Sequence, residues 1–205
     1  PIAVGHMLGE VAKDKLITTG GAQVGDDLVL VKGIAIEGTS IMAREKGEKL
    51  RERGYSQEFL ARARDYLHNP GISIVAEARL AALCDGVHAM HDPTEGGLAT
   101  GLQELAEAAH VGVWVDQEVI RVWPECAALC AEFGLNPMGT IASGALLIAV
   151  SREQTPQLLA AYRDARVVCA VIGHVTRADE GLKLRSGTGV ANLPRFDQDE
   201  ITKLF

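Results

Sequence analysis

The sequence has few aromatic residues and no excess of positive charge. Aromatic side chains make up 4% of the 205 residues, and 27 Asp and Glu outnumber 20 Lys and Arg, for a formal net charge of -7. Proteins bind single-stranded nucleic acid on aromatic platforms in basic grooves, and they bind anionic lipid through basic surfaces. The composition therefore argues against nucleic acid or a membrane as a partner.

Long apolar runs and a disulfide framework are also missing. No run reaches the roughly 18 apolar residues that a membrane span needs, and the chain does not open on a basic stretch followed by an apolar segment. The four cysteines are irregularly spaced, which favours reduced core residues. We expect a cytoplasmic protein. Because the first residue is Pro1 rather than Met, we also expect a fragment whose front part is missing.

Several common site motifs are absent. The sequence contains no Gly-x-x-x-x-Gly-Lys-Ser/Thr, no Gly-x-Gly-x-x-Gly and no Gly-x-Ser-x-Gly. His88, His91 and Asp92 suggest a metal site, but an odd spacing on a strand points the two histidines to opposite faces, so we expect no metal there. His91, at the strand exit, stays a candidate for ligand contact or proton transfer. Cys126 and Cys130 lie one helical turn apart with no second pair, which indicates buried core residues.

The apolar residues, 47% of the chain, alternate between strand and helix patterns. We predict strands over 2–11, 27–31, 86–90, 111–115, 144–150 and 167–173. We predict helices over 36–53, from Ser56 to Asn69, and over 72–83, 93–109, 124–133 and 153–164, followed by a polar tail from Arg185. Interleaved strands and helices predict a layered α/β or α+β fold, and a single domain is the simplest organisation.

The segment from Val87 to Ala99 contains the strongest signals for a helix start and for a candidate binding site. Asp92, Pro93 and Glu95 fit a capping box, so we predict that a helix begins at Pro93. Gly96 and Gly97 in its first turns each cost about 0.5–1 kcal/mol relative to Ala. Two explanations remain open: bare amides at a helix start hold an anion, or the glycines permit close packing of helix on sheet.

Two further loops have a similar character. An apolar strand runs through glycines into a helix at Lys32–Ser40, where Glu37 either contacts a ligand or metal or simply favours the helix start. Ser143 and Gly144 lie where a loop of small residues leads into the strand predicted over 144–150. They would allow a ligand to approach closely, although a tight turn needs the same residues.

These segments resemble the aminoimidazole ribonucleotide (AIR) synthase superfamily, and within it most closely the hydrogenase expression/formation (carbamoyl dehydratase) maturation factors. The resemblance rests on His91-Asp-Pro-Thr-Glu-Gly-Gly-Leu-Ala99 with its companions in order. The companions are Gly25-Asp-Asp-Leu-Val29, Gly33-Ile-Ala-Ile-Glu-Gly-Thr-Ser-Ile-Met-Ala43, Leu102-Gln-Glu-Leu-Ala-Glu-Ala108, Gly134-Leu-Asn-Pro137, Ala142-Ser-Gly-Ala-Leu-Leu147 and Ile172-Gly-His-Val175.

The resemblance implies the superfamily's C-terminal domain, a layered α/β/α fold with a mixed sheet, over the whole of 1–205. Residues 1–11 would be the strand that follows a missing N-terminal domain. That domain would supply most ligands of ATP and Mg²⁺ and the barrel of a homodimer. The resemblance places Asp92, Thr94, Glu95, Gly96 and Gly97 at an anion-facing helix start, and Gly38 and Thr39 on the neighbouring loop. Ser143 and Gly144 are possible substrate contacts.

Two functions follow from the resemblance. With an N-terminal domain, the chain would enclose nucleotide phosphates and substrate during ATP-dependent phosphoryl transfer to a small amide-like or acid molecule. Alternatively, it would be a non-catalytic partner module in hydrogenase or metallocofactor maturation. The chain ends Thr202-Lys-Leu-Phe205, whereas the nitrile-forming factors end in Arg-Ile-Cys with a substrate-bearing thiol, and it has Ser143-Gly-Ala-Leu where they have Ser-Glu-Gly-Lys.

Overall fold

The fold is a seven-stranded mixed sheet with helices on both sides. The computed structural model describes residues 4–6, 8–187 and 189–205. Its strands are β1 (Asp27–Val31), β2 (Val87–His91), β3 (Gly112–Asp116), β4 (Leu146–Val150), β5 (Cys169–Thr176), β6 (Leu182–Ser186) and β7 (Gly189–Asn192). Its α-helices are α1 (Ile36–Glu45), α2 (Gly47–Glu52), α3 (Gln57–Asp65), α4 (Val75–Ala82), α5 (Gly97–Ala109), α6 (Pro124–Phe133) and α7 (Thr155–Asp164). The predicted α/β class with a mixed sheet is confirmed.

The strand order is β2-β4-β1-β5-β3-β6-β7, and every neighbouring pair is antiparallel except β3 with β6. Strands β1 and β2 both pair antiparallel with β4. They therefore run in the same direction, and their carboxyl ends lie at the edge of the sheet where β4 begins. This edge carries the loops that the sequence singled out.

The sheet separates two apolar cores. Along β1, Leu28 and Leu30 belong to the core under α5, whereas Val29 and Val31 belong to the core under α4 and α7. Successive side chains of a strand point to opposite faces, so a strand covered on both sides is apolar at every position. This explains why the central strands appear in the sequence as continuous apolar runs, the pattern from which they were predicted.

A third core lies among α1, α3 and α6. Ser56 caps α3, as predicted, because its Oγ accepts the N–H of Phe59 at 3.1 Å. Cys126 and Cys130 are 0% and 1% exposed within this core, which confirms them as buried residues. The hydrogen bond between the two thiols and their burial raise the pKa of Cys126, so this thiol stays protonated.

Four expectations need correction. The helix predicted over 36–53 is two helices, because Lys46 leaves helical geometry between α1 and α2. Residues 4–6 and 8–11, part of the strand predicted over 2–11, pair with no strand and are exposed; residues 1–3 and 7 lie outside the described residues. The tail predicted from Arg185 contains the end of β6, then β7 and a 3₁₀ turn, Glu200–Leu204. The fourth is the start of α5, which lies at Gly97 rather than at Pro93.

Within the described residues, no helix combines the length and the apolar character that crossing a membrane requires.

Candidate functional site

The predicted loops meet at the edge of the sheet where β1 and β2 end. The N–H of Gly38, on the first turn of α1, donates to the carbonyl of Ile141 at 3.3 Å. The N–H of Ala142 donates to the carbonyl of Thr94 at 3.1 Å. The loop before β4 is therefore hydrogen-bonded to the starts of both α1 and α5. The structure thus brings Gly38, Thr94 and their neighbouring glycines around one short segment.

The start of α5 differs from the prediction. The helix begins at Gly97 with Gly96 as its N-cap, so Asp92 is not its N-cap. Gly96 and Gly97 have φ of +75° and +65°, and the N–H of Gly97 bonds to the carbonyl of Thr94. A right-handed helix that began at Pro93 would need negative φ at both glycines, so the chain instead makes a loop before the helix starts.

Glu95 does not complete a capping box either. Its side chain is exposed, and the pKa of its carboxyl is lowered by a hydrogen bond from its own backbone N–H and by one from the Thr94 hydroxyl. Glu95 is therefore ionised beside the helix start. Asp92 is exposed on the same loop.

Close packing explains why two of the predicted residues are glycine. A Cβ on Gly97 would lie 2.6 Å from the carbonyl oxygen of Met138 and 2.8 Å from that of Thr140. A Cβ on Gly38 would lie 2.5 Å from Cγ2 of Thr140. Close packing against the loop at 138–140, rather than against the sheet, therefore accounts for glycine at these two positions, and a role in binding an anion stays a prediction.

A carboxylate of the chain itself lies at the start of α5. Asp199 Oδ2 accepts the N–H of Gly96 at 2.7 Å, and Oδ1 accepts the N–H groups of Ile141 at 3.2 Å and Ile201 at 2.8 Å. Asp199 is 8% exposed. We call the N–H groups of Gly96 and Ile141 the α5 mouth. Free N–H groups and the helix dipole favour negative charge at such a place, and here Asp199 supplies it.

Asp199 is not among the predicted site residues, because it lies in the segment that was predicted to be a polar tail. The one local signal is that Asp is a common N-cap: Asp199 caps the turn Glu200–Leu204 through the N–H of Ile201. Its contacts with Gly96 and Ile141 are long-range, and no local pattern indicates them. The neighbouring Glu200 is also buried and accepts the N–H of Asn136 at 2.9 Å.

Three predicted residues lie away from the mouth. Thr39 is fully buried and donates its hydroxyl to the carbonyl of Ala35 at 2.7 Å. Gly144 has φ of +102° and packs against a different loop, where a Cβ would lie 2.8 Å from the carbonyl oxygen of Gly71. Ser143 beside it is half-buried.

Both ring nitrogens of His91 are engaged at the end of β2. Nδ1 lies 3.2 Å from the hydroxyl of Thr19, and Nε2 lies 2.9 Å from Glu104 Oε2. His91 thus links β2 to α5 and to the segment around Thr19. A role in proton transfer would require it to exchange one of these partners, and it stays a prediction.

His88 forms a second pair with a carboxylate, at the opposite end of β2. Its Nδ1 lies 2.9 and 3.0 Å from the two carboxylate oxygens of Asp26, whose side chain is 4% exposed. The register between β2 and β4 shifts at Val87/Ala89, a bulge that redirects the side chain between them. Among the described residues, no group of three or more His, Cys, Asp or Glu is placed to hold a metal ion.

We predict that His88→Ala lowers the free energy of unfolding by about 1–3 kcal/mol, because it leaves the buried carboxylate of Asp26 with fewer partners. The matched control is His91→Ala, since Glu104 is 55% exposed and is hydrated once the imidazole is lost. We expect His91→Ala to cost less than about 1 kcal/mol. Urea unfolding of both variants measures the difference. Equal losses of unfolding free energy would contradict the inference that burial of the Asp26 carboxylate makes the loss of its histidine partner more costly.

Comparison with family models identifies residues 23–184 as "AIR synthase related protein, C-terminal domain". The chain is 31% identical over 159 residues to the carbamoyl dehydratase HypE of Cupriavidus necator, covering 76% of this chain and 41% of that protein. It is 26% identical over 194 residues to a hydrogenase expression/formation protein of Methanocaldococcus jannaschii, covering 93% of this chain and 54% of that protein.

Among solved structures, the hydrogenase maturation protein HypE in complex with ATP has the same fold, with a TM-score of 0.68 at 19% identity. The likeness covers 94% of this chain and 57% of that one. The chain thus spans about half the length of the proteins that it matches.

Proposed function

Because the chain belongs to the family of AIR synthase related proteins and corresponds to their C-terminal domain, we propose that it serves an ATP-dependent protein. Its task there is to enclose the nucleotide phosphates and a substrate during phosphoryl transfer to a small amide-like or acid molecule. Cytoplasmic action and a homodimer of the complete protein are part of this proposal.

The observation that carries the proposal is the α5 mouth. Its N–H groups, from Gly96 and Ile141, converge on one carboxylate at 2.7 and 3.2 Å. Phosphate oxygens are acceptors of the same kind, and a helix N-terminus is favourable for them. The donors are backbone groups fixed by packed glycines, which suits phosphoryl transfer, because that reaction depends on positioning and on neutralisation of charge.

Mg²⁺ would be held mainly outside these residues. A magnesium ion in a phosphoryl-transfer site is bound by one or two carboxylates together with phosphate oxygens, and the resemblance to the AIR synthase related proteins implies that most of its protein ligands lie in their N-terminal domain. In the proposal, this domain therefore contributes N–H donors to the phosphates, and the metal ligands come from the rest of the protein.

ATP binding tests the proposal. We expect the protein that contains this chain to bind ATP in the presence of Mg²⁺. Thr94→Val should weaken binding by about tenfold, because the Thr94 hydroxyl, which donates to Glu95 in this structure, would turn to a phosphate oxygen in the proposed complex. Isothermal titration calorimetry measures both affinities. The proposal fails if no nucleotide binds at millimolar concentration.

The matched control is Thr176→Val, which makes the same substitution in β5. The hydroxyl of Thr176 is buried and has no hydrogen-bond partner among the described residues. Its removal should leave the affinity for ATP unchanged. Equal weakening by both variants would mean that the effect of Thr94→Val comes from the fold as a whole.

A non-catalytic role in hydrogenase or metallocofactor maturation is the second candidate. It is favoured by the occupation of the mouth by Asp199, together with the hydrogenase-related names of the Methanocaldococcus jannaschii relative and of the solved structure in complex with ATP. Release of inorganic phosphate from ATP by the protein separates the two candidates: turnover supports the first, and its absence despite ATP binding supports the second.

A further inference from the structure

The carboxylate of Asp199 lies where the proposed function places a phosphate oxygen. It is more than nine-tenths buried, and two of its three N–H donors, from Gly96 and Ile141, belong to the α5 mouth. The third donor, Ile201, belongs to the same turn as Asp199. The contact between the mouth and this carboxylate is therefore a contact between two separate parts of the chain.

A phosphate group and this carboxylate are incompatible neighbours. Both are anions that need the same N–H hydrogens, and two anions at one buried place repel each other strongly. Moreover, each N–H donates fully to one acceptor at a time. If a phosphate oxygen binds the mouth, Asp199 has to leave it.

The segment that carries Asp199 packs on two apolar cores and is not part of the sheet. We define the strap as residues 193–205. It is held by Leu193 in the core, by Phe196, whose ring lies over Gly139, and by Ile201 and Leu204 against the helical core. Between these contacts, Asp197 and Gln198 are exposed and lie outside regular helix or strand.

Resting on the proposed function, we propose that Asp199 is an internal ligand of the α5 mouth, so that docking of the strap and binding of a phosphate group at the mouth exclude each other. The strap then inhibits the site while it is docked. The two equilibria are linked, so a change that weakens docking of the strap strengthens phosphate binding. Bound phosphate lowers the equilibrium constant for docking by the same factor by which docking lowers the affinity for phosphate.

Asp199→Asn tests this relation. The amide keeps the shape of the side chain but loses its charge, and its NH₂ group would face an N–H donor of the mouth. We expect the affinity of the complete protein for ATP, and for inorganic phosphate as the simpler probe, to rise about tenfold, as expected for loss of a charge-assisted hydrogen bond. Calorimetry with each probe measures the affinity.

A second measurement follows the strap directly. In the unaltered protein, saturating phosphate should increase hydrogen exchange at the N–H of Ile201, which loses its acceptor when the strap leaves. In an Asp199→Ala variant, which has no side-chain acceptor for this N–H, exchange there should be fast with or without phosphate. Asp116→Asn is the matched control: Asp116 also caps a 3₁₀ turn through its side chain, but it lies at the end of β3. It should change neither quantity.

The outcomes separate this inference from the proposed function. If ATP binds both proteins and Asp199→Asn binds it equally or more weakly, Asp199 only braces the loops, and the inference fails while the proposed function stands. If phosphate binds and releases the strap but ATP does not bind, the inference stands without the proposed function. If neither probe binds either protein, both fail.

Discussion

Replacing Gly97 with Ala is expected to lower the free energy of unfolding by about 3 kcal/mol or more. An L residue at φ of +65° costs about 1–2 kcal/mol. The added methyl would also press against backbone oxygens of Met138 and Thr140, which cannot turn away as a side chain can, and overpacking of this kind costs about 1–3 kcal/mol. Urea unfolding measures the sum.

Gly134→Ala is the matched control for this prediction. Gly134 ends α6 at φ of +66°, nearly the dihedral of Gly97, and a Cβ there would meet nothing within 4 Å. It should therefore cost only the conformational part, about 1–2 kcal/mol. If the two variants lose equal stability, the loop at Met138 and Thr140 yields to the methyl, and the packing explanation for Gly97 is wrong.

The second large effect is expected at Lys32, which is 7% exposed at the end of β1. Its Nζ contacts Glu77 Oε1 at 3.1 Å, the carbonyl of Ser73 at 2.6 Å and that of Gly71 at 3.2 Å. Lys32→Met keeps most of the aliphatic stem but leaves the buried carboxylate of Glu77 without its counter-ion. We expect a loss of about 3–5 kcal/mol in the free energy of unfolding.

A double-mutant cycle checks that this loss comes from the unpaired charge. Lys32→Met combined with Glu77→Leu removes both charges, and apolar replacement of a buried ion pair is often close to neutral. The double variant should therefore be more stable than Lys32→Met alone, and clearly more stable than the sum of the single losses implies. Additive losses would contradict the pairing.

The sequence predicted the central strands well because both faces of the sheet are covered. Strands such as β1 and β4 are apolar at every position, and this is visible without knowledge of their partners. β6 was not predicted although its Leu residues alternate with Lys183 and Arg185 as in a half-buried strand, since it leads into the segment predicted to be a polar tail, and β7 was missed because all its residues are exposed. An edge strand owes its existence to hydrogen bonds with a neighbour, which composition does not record.

The candidate site was predicted in part for a similar reason. Local patterns singled out Gly96 and Gly97, the resemblance to the family added Thr94 and Gly38, and the structure brings the four residues to one place. The predicted capping box failed because backbone φ at two glycines decided where α5 begins. Asp199 was invisible because its partners lie far away along the chain, and local sequence contains no information about such a contact.

That separation has a consequence for the newly made chain. Gly96 and Asp199 are 103 residues apart. At a synthesis rate of about 5 to 20 residues per second, Gly96 leaves the ribosome roughly 5 to 20 seconds before Asp199 does. During that interval, the N–H of Gly96 does not have Asp199 as its acceptor. The contact that closes the start of α5 therefore forms only after Asp199 has been made, late in the folding of the domain.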